Sequence, residues 1–266
     1  MLSALSAYIR DLLGGFSPSL VPAWRAHGAT GIYMCCCGWV LRTVPSPVSI
    51  DRFGKLDNRD ELLNYIGNFC CGELRNDTVE AYLRSHPEPT IVDVGVNIGV
   101  TCRWWLSLSP NARVIGIDMM EEAIDFTRRK LTALGLGERF IGIVAAAGEK
   151  NDSVTIQFDS PLLGTVSLSP SSGHNVRTVP VKPVDAMISP FPKHGIALLK
   201  LDVEGHGYPV LKGAAETLTR TQAVVFEGHT EEETSQCAAL LQKHGFQLLG
   251  AHGRNYWWMK PLPSTR

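Results

Sequence analysis

Apolar residues follow two rhythms along this chain. Residues 90–94, 112–117, 139–145, 196–201 and 223–226 are near-continuous apolar runs, the pattern of strands buried on both faces of a parallel sheet. Between them, residues 101–108, 121–134 and 232–244 carry apolar side chains at helical spacing, as does a segment beginning near Tyr208 with Val210, Leu211, Ala214 and Leu218. Residues 246–251 and 256–260 read as a closing pair of strands turned by HGRN, which brings the core to seven strands. Strands alternating with helices predict an α/β fold around a mostly parallel sheet with a terminal antiparallel strand. Residues 153–185 alternate by twos around the Ser/Gly/Pro-rich SLSPSSGHN, which predicts a β-rich insertion with a loop that leaves His174 in solvent.

The pattern changes before residue 88. Leu2, Leu5, Tyr8, Ile9, Leu12 and Leu13 share a helical face over residues 2–13, and Gly14-Gly15 is expected to stop that helix. The face has three candidate uses: packing on the catalytic domain, a lid over substrate, or a homodimer contact. Residues 17–60, with Pro18, Pro22, Pro45 and Pro47, predict one or two short strands or irregular cover. Residues 60–69 and 78–85 read as helices, the second ended by HPEP. The expected division is an N-terminal helical extension over 1–87 and a catalytic domain over 88–266.

Composition narrows the partners. A net charge of −1 in 266 residues offers no general attraction for nucleic acid or an anionic membrane. No apolar run approaches the length of a membrane span, and Arg10 and Asp11 interrupt the first helix where a signal peptide stays apolar, so a cytoplasmic protein is expected. The seven cysteines are odd in number, and Cys35 to Cys37 and Cys70-Cys71 are adjacent rather than spaced as CxxC. They predict small buried hydrophobes and no structural metal.

The candidate chemistry gathers at strand ends. After Ile91, Val92 and Val94 around Asp93, the residues Gly95, Asn97 and Gly99 arrive at spacing two. This is a strand running into a glycine-rich turn and then a helix, where a ligand comes close to backbone N–H groups. Asp118 ends the next strand, about 20 residues on, where nucleotide-binding α/β folds hold ribose hydroxyls. GxGxxG is absent, so the turn suits a nucleoside with an amino-acid tail better than a pyrophosphate. Asp202, Glu204 and His206 follow the strand 196–201, and Glu227 and His229 follow the strand 223–226. Carboxyl ends of parallel strands are where open α/β sheets place their chemistry, and these five are the catalytic candidates. Asp202 or Glu204 has an alternative use as a helix cap. Histidine titrates near neutrality, so His206 assisted by Glu204 or Glu227 is the expected base, with Asp202 its competitor. Asp202, Glu204 and Glu227 could hold a divalent ion, although no metal is expected.

DVGVNIG, Asp118, LLKLDVEGHGYPVLKGAAETL and VVFEGH occur in the order of motifs in the FkbM family of S-adenosylmethionine-dependent methyltransferases, which residues 88–250 resemble. The resemblance implies a Rossmann-like class I methyltransferase fold and S-adenosylmethionine as cofactor. It implies cofactor contacts at Asp93, Gly95, Asn97, Gly99, Asp118, Ala146 and Asp202, with Ala146 beside the adenine edge. It also implies O-methylation of a hydroxyl on a small-molecule acceptor, a sugar or natural product. N- or C-methylation, a nucleotide-dependent oxidoreductase and a catalytically silent binding module stay open as alternatives. His206 stands where the family commonly has a small residue, Val96 where it often has alanine, and Asp118-Met119 where it often has glutamate and proline.

Overall fold

The computed structural model describes residues 12–160, 162, 174–191 and 195–262. The chain divides into two compact units, Met1–Asn76 and Asp77–Arg266.

The first unit is more helical than its prolines and glycines suggest. Most of the expected helical face over 2–13 lies outside the described residues. Gly14 and Gly15 do not stop the helix: a π-helical turn at Leu12–Phe16 runs into α1 (Ser17–His27). Pro18 and Pro22 both lie within this continuous helical run. Then come α2 (Ala29–Cys35) and a second π-helical segment (Cys36–Leu41), where irregular cover was expected. The reason is close packing. A Cβ on Gly31 would lie 2.0 Å from the Ala23 carbonyl oxygen, so this glycine lets α2 lie against α1. The short strands β1 (Val48–Ile50) and β2 (Gly54–Leu56) pair antiparallel. Helix α3 (Arg59–Tyr65) follows, its first turn capped by Asn58 Oδ1 on the Glu61 N–H at 2.9 Å. Cys35 and Cys37 are buried and Cys36, Cys70 and Cys71 half-buried.

Helix α4 (Asp77–Ser85) belongs to the second unit, so the boundary falls at Asn76 and not at residue 87. Val79 and Leu83 are fully buried there, and that apolar face decides the matter. The second unit is built on a seven-stranded sheet. Its strands are β3 (Thr90–Val94), β4 (Arg113–Asp118), β5 (Phe140–Val144), β9 (Ile196–Leu201), β10 (Thr221–Glu227), β11 (Gln247–His252) and β12 (Asn255–Met259). The spatial order is β11-β12-β10-β9-β3-β4-β5. Strands β10, β9, β3, β4 and β5 pair in parallel, and β12 runs antiparallel between β10 and β11. The expected sheet is present, strand for strand.

Helices α5 (Val100–Leu108) and α6 (Glu121–Ala133) cross between the first three strands. Trp105, 1% exposed, packs edge-on to Trp257 of β12 at 6.5 Å. At Ala146–Ala147 the chain leaves the main sheet as β6, which pairs with β8 (Asn175–Lys182), itself antiparallel to β7 (Asp152–Phe158). This three-stranded sheet is the expected β-rich insertion. Short helices α7 (Val184–Ile188), α8 (Gly207–Lys212) and α9 (Ala215–Thr219) precede or follow the central strands, and α10 (Glu231–Lys243) joins β10 to β11. Val92, Val94, Ile115, Leu199, Leu201, Val224 and Phe226 supply the sheet's share of one continuous core. Among the described residues, no helix is long and apolar enough to cross a membrane.

Candidate active site

The carboxyl edge of the sheet is where β3 breaks into its turn. Gly95, Asn97 and Gly99 all take positive φ (81°, 51° and 71°), a left-handed backbone that glycine enters freely and asparagine tolerates. Two of these positions are also too tight for a side chain. A Cβ on Gly95 would lie 1.9 Å from the Asp202 carbonyl oxygen, and one on Gly99 would lie 2.4 Å from Thr127 Oγ1. The first turn therefore abuts the end of β9, and the Asp202 N–H donates to the Val94 carbonyl at 3.1 Å.

Asp118 ties this turn to the next strand. Its Oδ2 accepts the Asn97 N–H at 2.9 Å and its Oδ1 accepts the Met120 N–H at 2.9 Å. Each oxygen keeps a further lone pair, and the side chain stays partly exposed, so the carboxylate can still accept two hydroxyls. Burial raises its pKa above the ordinary carboxylate value, opposed by the two N–H groups and by Lys200. Ala146, 5% exposed, packs with Met120, Ala123, Ile156 and Phe158 just beyond.

Asp93 sits underneath this turn and does not face a ligand. It is fully buried, with Oδ2 accepting the Thr101 hydroxyl at 2.6 Å and Oδ1 lying 3.0 Å from Lys200 Nζ. The expected cofactor contact is thus corrected to support of the turn from below, because Thr101 and Lys200 engage both oxygens of this fully buried carboxylate.

Asp202, Glu204, Glu227 and His229 come together at the ends of β9 and β10. Glu204 adopts φ 49° and Gly205 φ 87°, a left-handed pair that lets the chain bend back toward α8. Glu227 is 16% exposed; Arg254 Nη2 lies 2.6 Å from its Oε1, and His229 Nε2 lies 3.6 Å from its Oε2. Burial first, then the neighbouring Asp202 carboxylate, push the Glu227 carboxyl up to about 7, with Arg254 opposing. Burial and Asp202 raise Glu204 as well, against His229 and Arg254. A carboxylate pair of this kind holds its last proton near neutrality, as an acid–base group must.

His206 stands apart. It is the residue before α8, its Nδ1 is buried without a hydrogen-bond partner, and no described hydrogen bond or ion pair joins it to the carboxylates. Glu233 of α10 does the joining: Oε1 accepts the Gly207 N–H at 2.7 Å and Oε2 the His229 N–H at 3.1 Å. Arg254, Glu233 and Lys200 were all missed by sequence reasoning. A lysine within the apolar run IALLKL is the one signal that was available, since lysine is almost never buried without a partner. The contacts of Arg254 and Glu233 arise from the packing of segments distant along the chain and leave no such trace.

Ligand atoms of Asp202, Glu227 and His229 lie within 4.8 Å of one another, a spacing that could hold a cation, with His229 in place of the anticipated Glu204. The Arg254 guanidinium already occupies one Glu227 oxygen and lies 3.5 Å from His229 Nδ1, supplying positive charge at that spot.

Comparison with known proteins agrees with the geometry. The crystal structure of methyltransferase FkbM from Methylobacillus flagellatus KT superposes over 94% of this chain and 60% of its own, with TM-score 0.50 and 14% identity. Release factor glutamine methyltransferase of Enterococcus faecalis is 37% identical over 81 residues, 29% of each chain. The chain thus spans less than two thirds of the length of either. The fold is the Rossmann-like class I methyltransferase fold. Residues 93–248, more than half of the sequence, match the Methyltransferase FkbM domain, and the chain belongs to that family.

Proposed function

We propose that this protein transfers the methyl group of S-adenosylmethionine to a hydroxyl of a small molecule, a sugar or natural product, with Glu227 as the base. The carrying observation is the Asp202–Glu227 carboxylate pair at the ends of β9 and β10, with the Asp202 backbone set against the Gly95 turn. Support comes from the left-handed turn through Gly95, Asn97 and Gly99 after β3 and from Asp118, a carboxylate with lone pairs to spare for the ribose hydroxyls.

In the reaction the acceptor oxygen forms a bond to the methyl carbon. The carbon–sulfur bond breaks with its electron pair going to sulfur, which leaves S-adenosylhomocysteine. The hydroxyl proton passes to Glu227. Holding methyl and oxygen in line supplies much of the acceleration, and one base suffices for the rest. Arg254 and His229 flank Glu227 at the same edge and keep its carboxylate aimed. Glu227 is favoured over His206 as the base because no described hydrogen bond or ion pair joins His206 to these carboxylates. The seven unpaired cysteines support a reducing compartment, and we place the enzyme in the cytoplasm.

Calorimetry with S-adenosylhomocysteine and with a nicotinamide dinucleotide separates this reading from an oxidoreductase: the first should bind and the second should not. Mass spectrometry of products from a panel of glycans and metabolites then names the acceptor. A protein that binds S-adenosylhomocysteine yet methylates only amines or carbon would remove the O-methylation reading.

A further inference from the structure

Lys200 is the only buried lysine among the described residues, 1% exposed in a strand whose six residues are all buried. Removing an ammonium from water costs several kcal/mol, so its contacts must answer for its presence. It lies opposite Asp93 in the β3–β9 register, and Nζ is 3.0 Å from Asp93 Oδ1. It does not stop there. The ammonium reaches past the strand end to donate to the Gly95 carbonyl at 2.6 Å, with the Val94 carbonyl at 3.4 Å and Asp202 Oδ2 at 3.7 Å. Burial alone would lower its pKa, but Asp93 and then Asp202 outweigh that and raise it, so it stays charged.

An ion pair alone does not explain this geometry. Replacing a buried pair with apolar residues of similar volume is often neutral or stabilising, and Leu198, Leu199 and Leu201 show that this strand packs well with apolar side chains. What the ammonium adds is direction at the far end. It fixes the carbonyl of the glycine whose left-handed backbone starts the turn, and it places a positive charge beside one member of the carboxylate pair.

We propose that Lys200 is a positioning residue that orients the Gly95 turn for S-adenosylmethionine and holds that turn in register with Asp202, a role that rests on the methyltransferase reading above. Lys200 touches neither substrate nor cofactor in this account; it acts through Gly95 on the cofactor and through Asp202 on the proton-accepting pair.

The test removes both charges together so that no buried charge is left unpaired. The Asp93→Asn, Lys200→Met double variant is compared with the parent by thermal melting and by calorimetry with S-adenosylhomocysteine. The expected result is a folded protein of similar Tm whose affinity falls at least about tenfold. A purely structural role predicts that Tm and affinity change together, so a folded double variant that binds within twofold of the parent overturns the proposal. A second measurement needs no variant. The slowly exchanging side-chain NH₃⁺ resonance of a buried lysine, followed by ¹⁵N NMR in the unmodified protein, should shift when S-adenosylhomocysteine is added, and an unmoved resonance at saturation also overturns it. If the parent itself fails to bind S-adenosylhomocysteine, the methyltransferase reading is what falls.

Discussion

Replacing Asp118 with asparagine separates what this carboxylate does for the fold from what it does for a ligand. In the ligand-free protein its two oxygens hold the N–H groups of Asn97 and Met120 at 2.9 Å each. The Asp118→Asn variant keeps one acceptor oxygen and turns the other into a donor, so one of these bonds is lost. A hydrogen bond to a charged group contributes about 1.5–3 kcal/mol. Against that loss stands the cost of the charge itself. Burial raises the Asp118 pKa despite the two N–H donors, so folding disfavours its ionised form. The sign follows: the contribution of this group is greatest below its unfolded pKa and is lost as pH rises through the raised folded value. Above the raised folded value the parent bears that cost and the Asp118→Asn variant does not, so the two effects on stability oppose one another.

Ligand affinity has no such compensation. On the proposed ribose assignment, two hydroxyls that donate to a carboxylate in the parent would meet one amide oxygen and one amide N–H₂ in the variant, and loss of one charged bond at about 1.5–3 kcal/mol would weaken binding roughly 10- to 150-fold. Urea denaturation without ligand and calorimetry with S-adenosylhomocysteine measure the two quantities on one preparation. The expected outcome is a loss of binding energy that clearly exceeds any loss of stability. Unchanged affinity would refute the ribose assignment. A stability loss of several kcal/mol accompanied by an equal loss of binding energy would mean that Asp118 only holds the turn.

With an acceptor identified by product analysis, turnover at saturating cofactor should rise with pH through a single ionisation at about 7 and level off above it, because Glu227 accepts a proton only when ionised. Glu227→Gln should lower turnover about 10²–10⁴-fold with S-adenosylhomocysteine affinity intact, and a variant with near-normal turnover would return the base to Asp202 or His206. Arg254→Met removes a charge that holds the Glu227 pKa down, so the midpoint should move to higher pH; the guanidinium is 63% exposed and screened, which keeps the shift modest. An unmoved midpoint would show that Arg254 has no part in the pair. Chelator treatment should leave turnover unchanged, since the Arg254 guanidinium on Glu227 Oε1 already supplies positive charge beside the carboxylates, and activity lost with EDTA and restored by a divalent metal would reassign Asp202, Glu227 and His229 as ligands.

The sheet was legible in the sequence because a strand buried on both faces has little choice of residue. Ile91, Val92 and Val94, or Leu198, Leu199 and Leu201, announce themselves by continuity, and Gly95-x-Asn97-x-Gly99 announces a left-handed turn that few other residues can make. The edge that carries the candidate site was legible for the same reason, since strand ends locate Asp202 and Glu227. The first unit was not. There Gly14-Gly15 was read as a stop and the prolines as marks of short strands or irregular cover, but a helical run passes through Gly14, Gly15, Pro18 and Pro22, and Gly31 is small so that two helices can touch. A residue type marks a constraint without saying whether the constraint is conformational or steric. Asp93 shows the converse: its place in the motif was read correctly, but which way its side chain points depends on Lys200, 107 positions later, and only the strand register brings the two together.

The direction of the last strand bears on chemistry as well as on topology. Strand β11 ends at His252 on the same edge as Glu227, and β12 starts back from Asn255, which pairs with Glu227 itself. The turn between them, with Gly253 at φ 57°, therefore lies at the carboxyl edge of the sheet, and the Arg254 carbonyl accepts the Gly228 N–H at 2.9 Å while its guanidinium closes on Glu227. The antiparallel pairing of β11 and β12 thus sets their connecting turn at the carboxyl edge, and it accounts for a cation at Glu227 that no motif near Glu227 foretells.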